Sequence, residues 1–321
     1  LHFINDLDKR PVPEIHNCER YELSSFHPAF STGDRTRAFL KIQDGCDYSC
    51  SYCTIPLARG NSRNQAVSEC VKDASEIAEK GIKEIVLTGV NIGDFGKSTG
   101  ETFMDLLEAL TQVQGIERFR ISSIEPNLLG DRIIELVAKD SKLLPHFHIP
   151  LQSGSDRILA GMRRRYTRDV FASRVKKIRE LMPLAGIGAD IIAGFPGETE
   201  EDFNDTYEFL DSLDLSYLHV FTYSSRNNTP AASMEGQLDK RVKDHRSKKL
   251  QLLAERKRIQ FNEKCRGMSA EVLWESEEKP GYLAGFTENY LKVYRPYERI
   301  LEGTISTHIL EETDENANFI V

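Results

Sequence analysis

Residues 46–63 read CDYSCSYCTIPLARGNSR and follow directly on a β-type run, AFLKIQ at 38–43. Cys46, Cys50 and Cys53 form a C-x₃-C-x₂-C triplet. The spacers let each sulfur turn inward, so one short loop can wrap a single metal centre. Structural zinc and closed iron–sulfur sites take four protein ligands. A 4Fe–4S cube held by three cysteines keeps one iron for a small chelating molecule that offers an amino and a carboxylate group. A zinc knuckle with a distant fourth ligand, or a redox pair built on C-x₂-C, remains the bland alternative at this point.

Outward from the triplet, β-rich runs alternate with amphipathic ones. The strands fall at 38–43, 84–89, 118–123, 146–152, 186–194 and 217–223. Helical spacing of apolar residues marks 68–80, 102–112, 167–182 and 199–213, and a further helix fits 130–139. Thr102 with Asp105, and Thr199 with Asp202, have capping-box spacing. Six consecutive βα units imply a parallel sheet, because each helix is the crossover to the next strand. Six is fewer than the eight of a closed (β/α)₈ barrel. The expected fold class is therefore α/β, a partial (β/α)₆ barrel with its site at the carboxyl ends of the strands. The cysteine loop follows strand one and lies on that rim. Strand alternation puts His146, His148, Pro150 and Gln152 on one face, and Tyr217, His219, Phe221 and Tyr223 on one face. Each such histidine, taken alone, is either a hydrogen-bonded core residue or a functional one facing the lumen. Cys70, on an apolar helix stripe, reads as core.

The chain has 321 residues, 40% hydrophobic and 29% charged, which is an ordinary globular composition with room for two domains. No apolar run reaches the ~18 residues that a membrane helix needs. The start, LHFINDLDKR, is not a secretory signal, and it opens on Leu1, which points to a piece of a longer chain. Six cysteines do not make a disulfide scaffold, and with Cys18, Cys70 and Cys265 scattered they fit a reducing, cytoplasmic setting. Residues 239–266 carry 11 Lys and Arg against 4 Asp and Glu, whereas 267–321 carry 4 against 11. The basic stretch contains one long helix at 240–264, the first place to look for a polyanion partner. Arg163, Arg164 and Arg165 form a second basic cluster. Residues 1–35 read as a linker. From 268 onward short β-type runs indicate a small antiparallel barrel. Its Trp274, Tyr282, Phe286, Tyr290 and Tyr294 are either core or base-stacking residues.

The triplet, its place after strand one and the six βα units resemble the radical S-adenosylmethionine superfamily. LTGVNIGDFG at 87–96, SSIEPNLL at 122–129, FHIPLQSGSDRIL at 147–159 and ADIIAGFPGETEEDF at 189–203 are similar, in order, to successive blocks of its methylthiotransferases. Together they cover about residues 36–265. GCDYSCSYCTIPLARGNSR is similar to the MtaB-type branch, which modifies tRNA N6-threonylcarbamoyladenosine. The tail resembles a TRAM domain, an RNA-binding mini-barrel.

The resemblance implies that Cys46, Cys50 and Cys53 hold one 4Fe–4S cluster. It places Gly89 and Asn91 at the amino group of S-adenosylmethionine, Ser123, Glu125 and Gln152 beside cofactor and substrate, and Asp190 and Ile192 beside the adenine. It implies cleavage of S-adenosylmethionine to a 5′-deoxyadenosyl radical, hydrogen removal from C2 of the adenine, and attachment of a methylthio group. The implied partners are the tRNA anticodon stem-loop and an electron donor such as flavodoxin or ferredoxin, with no DNA and no membrane. Residues 36–266 become the radical domain and 267–321 the TRAM-like domain. Residues 1–35 become the linker from an amino-terminal domain that would bind a second 4Fe–4S cluster. FTYSSRNNTPAA at 221–232 departs from the family's PYS-x-R-x-GTPA at Thr222 and Asn228. Rival readings are a methylthiotransferase for isopentenyladenosine or for a ribosomal-protein aspartate and, in another class, a zinc-stapled RNA-binding protein without catalysis.

Overall fold

The computed structural model describes residues 25–31 and 36–321. The expected linker falls largely, and Cys18 wholly, outside them. Two short strands, β1 (Phe30–Ser31) and β2 (Arg37–Lys41), pair antiparallel. A two-residue hairpin of β3 (Gln43–Asp44) and β4 (Arg63–Asn64) brackets the cysteine loop and its short helix α1 (Ile55–Arg59). The βα units follow: α2 (Val67–Ala78), β5 (Glu84–Thr88), α3 (Phe103–Thr111), β6 (Arg118–Ile121), α4 (Asp131–Lys139), β7 (His146–His148), α5 (Asp156–Gly161), α6 (Arg168–Leu181), β8 (Gly186–Ala193), α7 (Glu200–Ser212) and β9 (Tyr217–Thr222).

Both capping boxes form. Thr102 and Thr199 accept from the backbones of Asp105 and Asp202, whose carboxylates reach back to the cap. The hydrogen-bonded order is β1-β2-β5-β6 and, separately, β7-β8-β9. Bridges Phe119–Leu143 and Ser123–His148 join the two parts into one arc of parallel strands, open between β9 and β2 among the described residues. Strand four is shorter than its hydrophobic run implied: Gln152 takes a left-handed φ of 70°, and regular pairing stops at His148. The outward face of the arc buries Leu40, Leu87, Phe119, Phe147, Ile187 and Ile191 under the helices.

Helix α8 (Lys240–Lys264) keeps its expected bounds but not an open basic face. Buried Arg246 pairs with Glu198 at 2.8 Å and with Glu200 at 3.0 Å. Buried Lys257 donates to the carbonyls of Asp211 and Leu213 at 2.6 Å. Part of the positive charge is thus spent in docking the helix to the barrel.

The remaining strands, β10 (Ser269–Lys279), β11 (Tyr282–Thr287), β12 (Lys292–Pro296), β13 (Ile305–Ile309), β14 (Glu312–Thr313) and β15 (Phe319–Ile320), form one sheet in the order β13-β10-β11-β12-β15-β14. Trp274 and Phe319 fill its core. The sheet seats against the amino-terminal ends of the barrel strands. Arg37 meets Glu275 at 2.7 Å, Arg118 donates to the Glu271 carbonyl at 2.8 Å, and Arg120 donates to the Thr287 carbonyl at 3.2 Å. Glu84, fully buried, accepts from Arg120 at 2.8 Å. Tyr290 stacks on His146 with ring centroids 4.5 Å apart. This leaves the opposite, carboxyl-terminal rim for chemistry.

Candidate functional site

The cysteine loop is pinned from several directions. The Cys46 N–H donates to the Gly60 carbonyl, and the Ser51 N–H to the Met162 carbonyl. The Ser51 hydroxyl donates to the Gly161 carbonyl at 2.8 Å, and the Ala231 N–H closes on the Ser51 carbonyl at 2.8 Å. Each thiol accepts one donor: the Tyr48 N–H for Cys46, the Ile55 N–H for Cys53, and the Arg164 guanidinium for Cys50. Burial pushes the Cys46 thiol up to about 11, and it raises Cys50 against the pull of the Arg164 charge. Such thiols stay protonated at neutral pH until a metal displaces the proton.

Gln43 joins this loop to the turn after β5. Its side-chain oxygen accepts from the N–H groups of Val90 and Asn91 at 3.0 and 2.8 Å. Its amide nitrogen donates to the carbonyls of Asp44 and Gly45 and to the Ser62 hydroxyl. The contact requires glycine at position 89: a Cβ there would lie 2.8 Å from the Ile92 side chain and 2.9 Å from the Gln43 carbonyl. Asn91 is buried and donates to Asp94, and its side-chain oxygen has no partner.

Around the rim, Ser123 is exposed at the end of β6 and Glu125 pairs with Arg164. Arg164 is nearly buried, spans Glu125 and Cys50, and stacks over Tyr166. The Arg163–Arg165 cluster therefore does not form one phosphate-facing patch; its middle member serves the cysteine loop. A cleft of about 380 Å³ brings Gln152, Asp190 and Ile192 together with Cys53, Phe221 and Arg226. Gln152 is locked between β-strand neighbours: its N–H donates to the Asp190 carbonyl and its carbonyl accepts from Ile192. Asn228, where a glycine was expected, takes a left-handed φ of 64°, a conformation that Asn adopts more readily than other side chains.

Below the rim, three histidines, a carboxylate and a tyrosine line the inner face. His148 Nε2 lies 2.9 Å from Asp190 Oδ1, and His219 Nδ1 lies 3.4 Å from the same oxygen. Burial would raise the Asp190 carboxyl, but His148 and His219 hold it down to about 2. Gly188 makes room for the tyrosine: a Cβ there would fall 2.1 Å from the Tyr217 ring.

The expected residues thus divide into groups. Cys46, Cys50 and Cys53, with Glu125 through Arg164, form one cluster. Gln152, Asp190 and Ile192 share the cleft with Cys53. Gly89 and Asn91 attach through Gln43. Gln43, an amide at a strand end, carries no local signal, and Arg164 reads in the sequence as the centre of a basic cluster rather than as a partner of the cysteine loop. Cys70 is core, and Cys265 is buried with its thiol pushed up to about 11. Among the described residues, one set of three His, Cys, Asp or Glu ligand atoms lies within 4.8 Å of one another, and it is His148, Asp190 and His219. The three thiols of Cys46, Cys50 and Cys53, on one pinned loop, are soft donors that suit an iron–sulfur centre or zinc. Cys53 of the triplet borders the same cleft as Gln152 and Ile192.

Comparison with known proteins supports the same reading. The Radical SAM superfamily model matches residues 40–210. Threonylcarbamoyladenosine tRNA methylthiotransferase MtaB of Bacillus subtilis (strain 168) is 42% identical over 292 residues, 88% of this chain and 64% of that protein. The tRNA-2-methylthio-N(6)-dimethylallyladenosine synthase of Alkaliphilus oremlandii (strain OhILAs) is 37% identical over 280 residues, 86% of this chain and 59% of that protein. The chain spans less than two thirds of the length of either relative. Among solved structures, the radical S-adenosylmethionine methyltransferase TsrM from Kitasatospora setae shares the fold, with a TM-score of 0.53 at 18% identity over 61% of this chain and 38% of that one.

Proposed function

The chain belongs to the radical SAM superfamily, and from that premise we propose that it is the catalytic part of a tRNA methylthiotransferase acting at C2 of N6-threonylcarbamoyladenosine beside the anticodon. The observation that carries this reading is the joining of the cysteine loop, the Gly89–Asn91 turn and the Gln152–Ile192 cleft into one rim. The 42% identity to an MtaB protein favours the threonylcarbamoyl substrate over the dimethylallyl one.

In this reading Cys46, Cys50 and Cys53 hold a 4Fe–4S cluster. The cluster and S-adenosylmethionine supply the radical that removes hydrogen from the substrate. The chain's own residues bind and orient. Gly89 lets the turn after β5 pack on Gln43 and Ile92, and that turn, with Asn91, meets the methionine end. Glu125 and Arg164 form a fixed ion pair next to Cys50, and Ser123 borders the substrate. Gln152, Asp190 and Ile192 flank the adenosine end. Residues 36–266 serve as the radical domain and 267–321 as a TRAM-like RNA-binding domain, joined through a linker at 1–35 to an amino-terminal domain with a second 4Fe–4S cluster. The anticodon stem-loop presents the base, whose splayed loop suits single-strand recognition. A flavodoxin or ferredoxin supplies electrons in the cytoplasm.

The test is mass spectrometry of tRNA nucleosides from a strain lacking the gene. The methylthio form of threonylcarbamoyladenosine should vanish, and its unmodified precursor should accumulate. Persistence of the methylthio form, or loss of the dimethylallyl form in its place, would refute the substrate assignment.

A further inference from the structure

We propose that His148, Asp190 and His219 form a binding site for a divalent transition-metal ion on the inner face of the barrel, distinct from the cysteine loop. The inference does not depend on the tRNA substrate assigned above.

Three features carry it. The first is spacing. The two imidazole nitrogens lie 2.9 and 3.4 Å from one carboxylate oxygen, and all three ligand atoms fall within 4.8 Å of one another. Ligands around a tetrahedral ion at bond lengths near 2.0–2.1 Å stand about 3.4 Å apart. The second is rigidity. Asp190 and His219 face each other in the β8–β9 register, and His148 pairs with Gly188 on the other side of β8. Three adjacent strands therefore hold the donors, without a loop among them. The third is outer support. The other ring nitrogen of His148 is 3.2 Å from the Tyr217 hydroxyl, which is itself 2.8 Å from Nε2 of His146. Metal-bound histidines are oriented by such partners.

The donor set selects the ion. Two imidazoles and one carboxylate suit Zn²⁺, Fe²⁺ or Co²⁺ and disfavour Mg²⁺ and Ca²⁺, which prefer oxygen shells. Three protein ligands leave a position open, as in zinc sites that bind water or substrate. Asp190 lines the cleft that also holds Cys53, and the His219 side chain is 56% exposed, so a small ligand can reach the donor set. An ion there would accept an oxygen or nitrogen atom of whatever molecule occupies the cleft.

The experiment is an anaerobic titration of the cluster-loaded chain, freed of loosely bound iron, with Co²⁺ alone. Cluster loading keeps the three thiols occupied. One equivalent of cobalt should bind with a nitrogen–oxygen ligand-field spectrum and no thiolate charge-transfer band, and Zn²⁺ should displace it. His219→Ala and Asp190→Asn should each weaken binding at least tenfold. Tyr217→Phe should weaken it ~10- to 100-fold through lost orientation of His148. His219 is half exposed, so its variant should retain cluster absorbance and melting temperature, which separates lost binding from misfolding. No cobalt uptake, a thiolate band, or uptake that survives His219→Ala would each overturn the proposal and leave a hydrogen-bonded trio.

Discussion

The Arg164 guanidinium donates to the Cys50 sulfur across 3.2 Å while the same side chain is ion-paired with Glu125. With Cys50 as a cluster ligand, as proposed, a cation held against it stabilises the more negative, reduced state. Hydrogen bonds to cluster sulfurs are among the factors that set its potential. A charge-assisted hydrogen bond is worth ~1.5–3 kcal/mol, and 1.4 kcal/mol corresponds to about 59 mV for one electron. Arg164→Met should therefore lower the midpoint potential by on the order of 50 mV in a redox titration followed by electron paramagnetic resonance. Arg164→Met with Glu125→Gln should recover part of that shift, because the stranded carboxylate is removed as well. An unchanged potential in the single variant would mean that the contact does not act on the cluster.

Gln43 satisfies two backbone N–H groups of the turn after β5 and two carbonyls of the cysteine loop. Its residue is fully buried, so Gln43→Ala strands these groups without water. Leaving buried partners unmade costs ~1–3 kcal/mol each when they cannot relax. The variant should lose roughly 3 kcal/mol in denaturant titration. It should also take up less than half of the wild-type iron on reconstitution, measured as iron per chain. Gln43→Glu is the sharper comparison. Its carboxylate keeps the acceptor for Val90 and Asn91 but removes the donor toward the cysteine loop, so iron uptake should fall more than the β5 turn loosens.

Much of this site is legible in the sequence alone. The triplet, the glycine turn and the helix caps are local signals, each set within a few residues. So is α8, whose 25 residues keep helical character from end to end. Gln43 is not legible, because its value lies in meeting a turn 47 residues away. Arg164 is misleading. In a run of three arginines a solvated patch is the natural reading, but Arg163 takes a left-handed φ of 57° and Arg164 is buried against Cys50. The aromatics of the tail divide in the same way. Trp274 is core and donates to Ser306, Tyr282 stays exposed, and Tyr290 is used against the barrel. Composition cannot tell a base-stacking ring from a docking ring when both sit on short strands.

Asp202 couples helix capping to the loop that carries Gln152. It accepts from the Thr199 N–H at 2.9 Å and from the Ser155 hydroxyl at 2.8 Å, and Arg157 closes on it as well. Ser155 is itself the cap of α5. Burial opposes its charge, but the Arg157, Thr199 and Ser155 bonds hold its carboxyl well below the usual range. The sign follows from a folded value below the unfolded one near 3.8: the stabilisation is present above that value and is lost as pH falls through the folded value. Asp202→Asn should be less stable at pH 7 by ~1–2 kcal/mol, the scale of a lost cap. Its melting temperature should also fall less steeply than that of the wild type on acidification below pH ~4. Parallel melting curves across that range would show that Asp202 is not the linked group.

Tyr290 is the hinge of the contact between the carboxyl-terminal sheet and the barrel. Its ring stacks on His146 at 4.5 Å and on Phe286 at 4.8 Å, and the Arg120 guanidinium lies 4.9 Å from its centroid. Removing it forfeits aromatic pairs worth ~0.5–1.5 kcal/mol each and a cation–π contact of ~0.5–2 kcal/mol, and it leaves a cavity. Its backbone adds a second, opposite effect. Tyr290 holds a left-handed φ of 73°, which is strained for any side chain and free for glycine. Tyr290→Ala should therefore destabilise by roughly 3–5 kcal/mol, and Tyr290→Gly by about 1 kcal/mol less despite having the smaller side chain. Calorimetry reads both effects. The wild type should melt with the sheet and the barrel coupled, whereas the alanine variant should separate into an earlier transition of the sheet and a later one of the barrel. A glycine variant less stable than the alanine one would show that the turn relaxes once the ring is gone, and that the strain is held by the docking rather than by the turn itself.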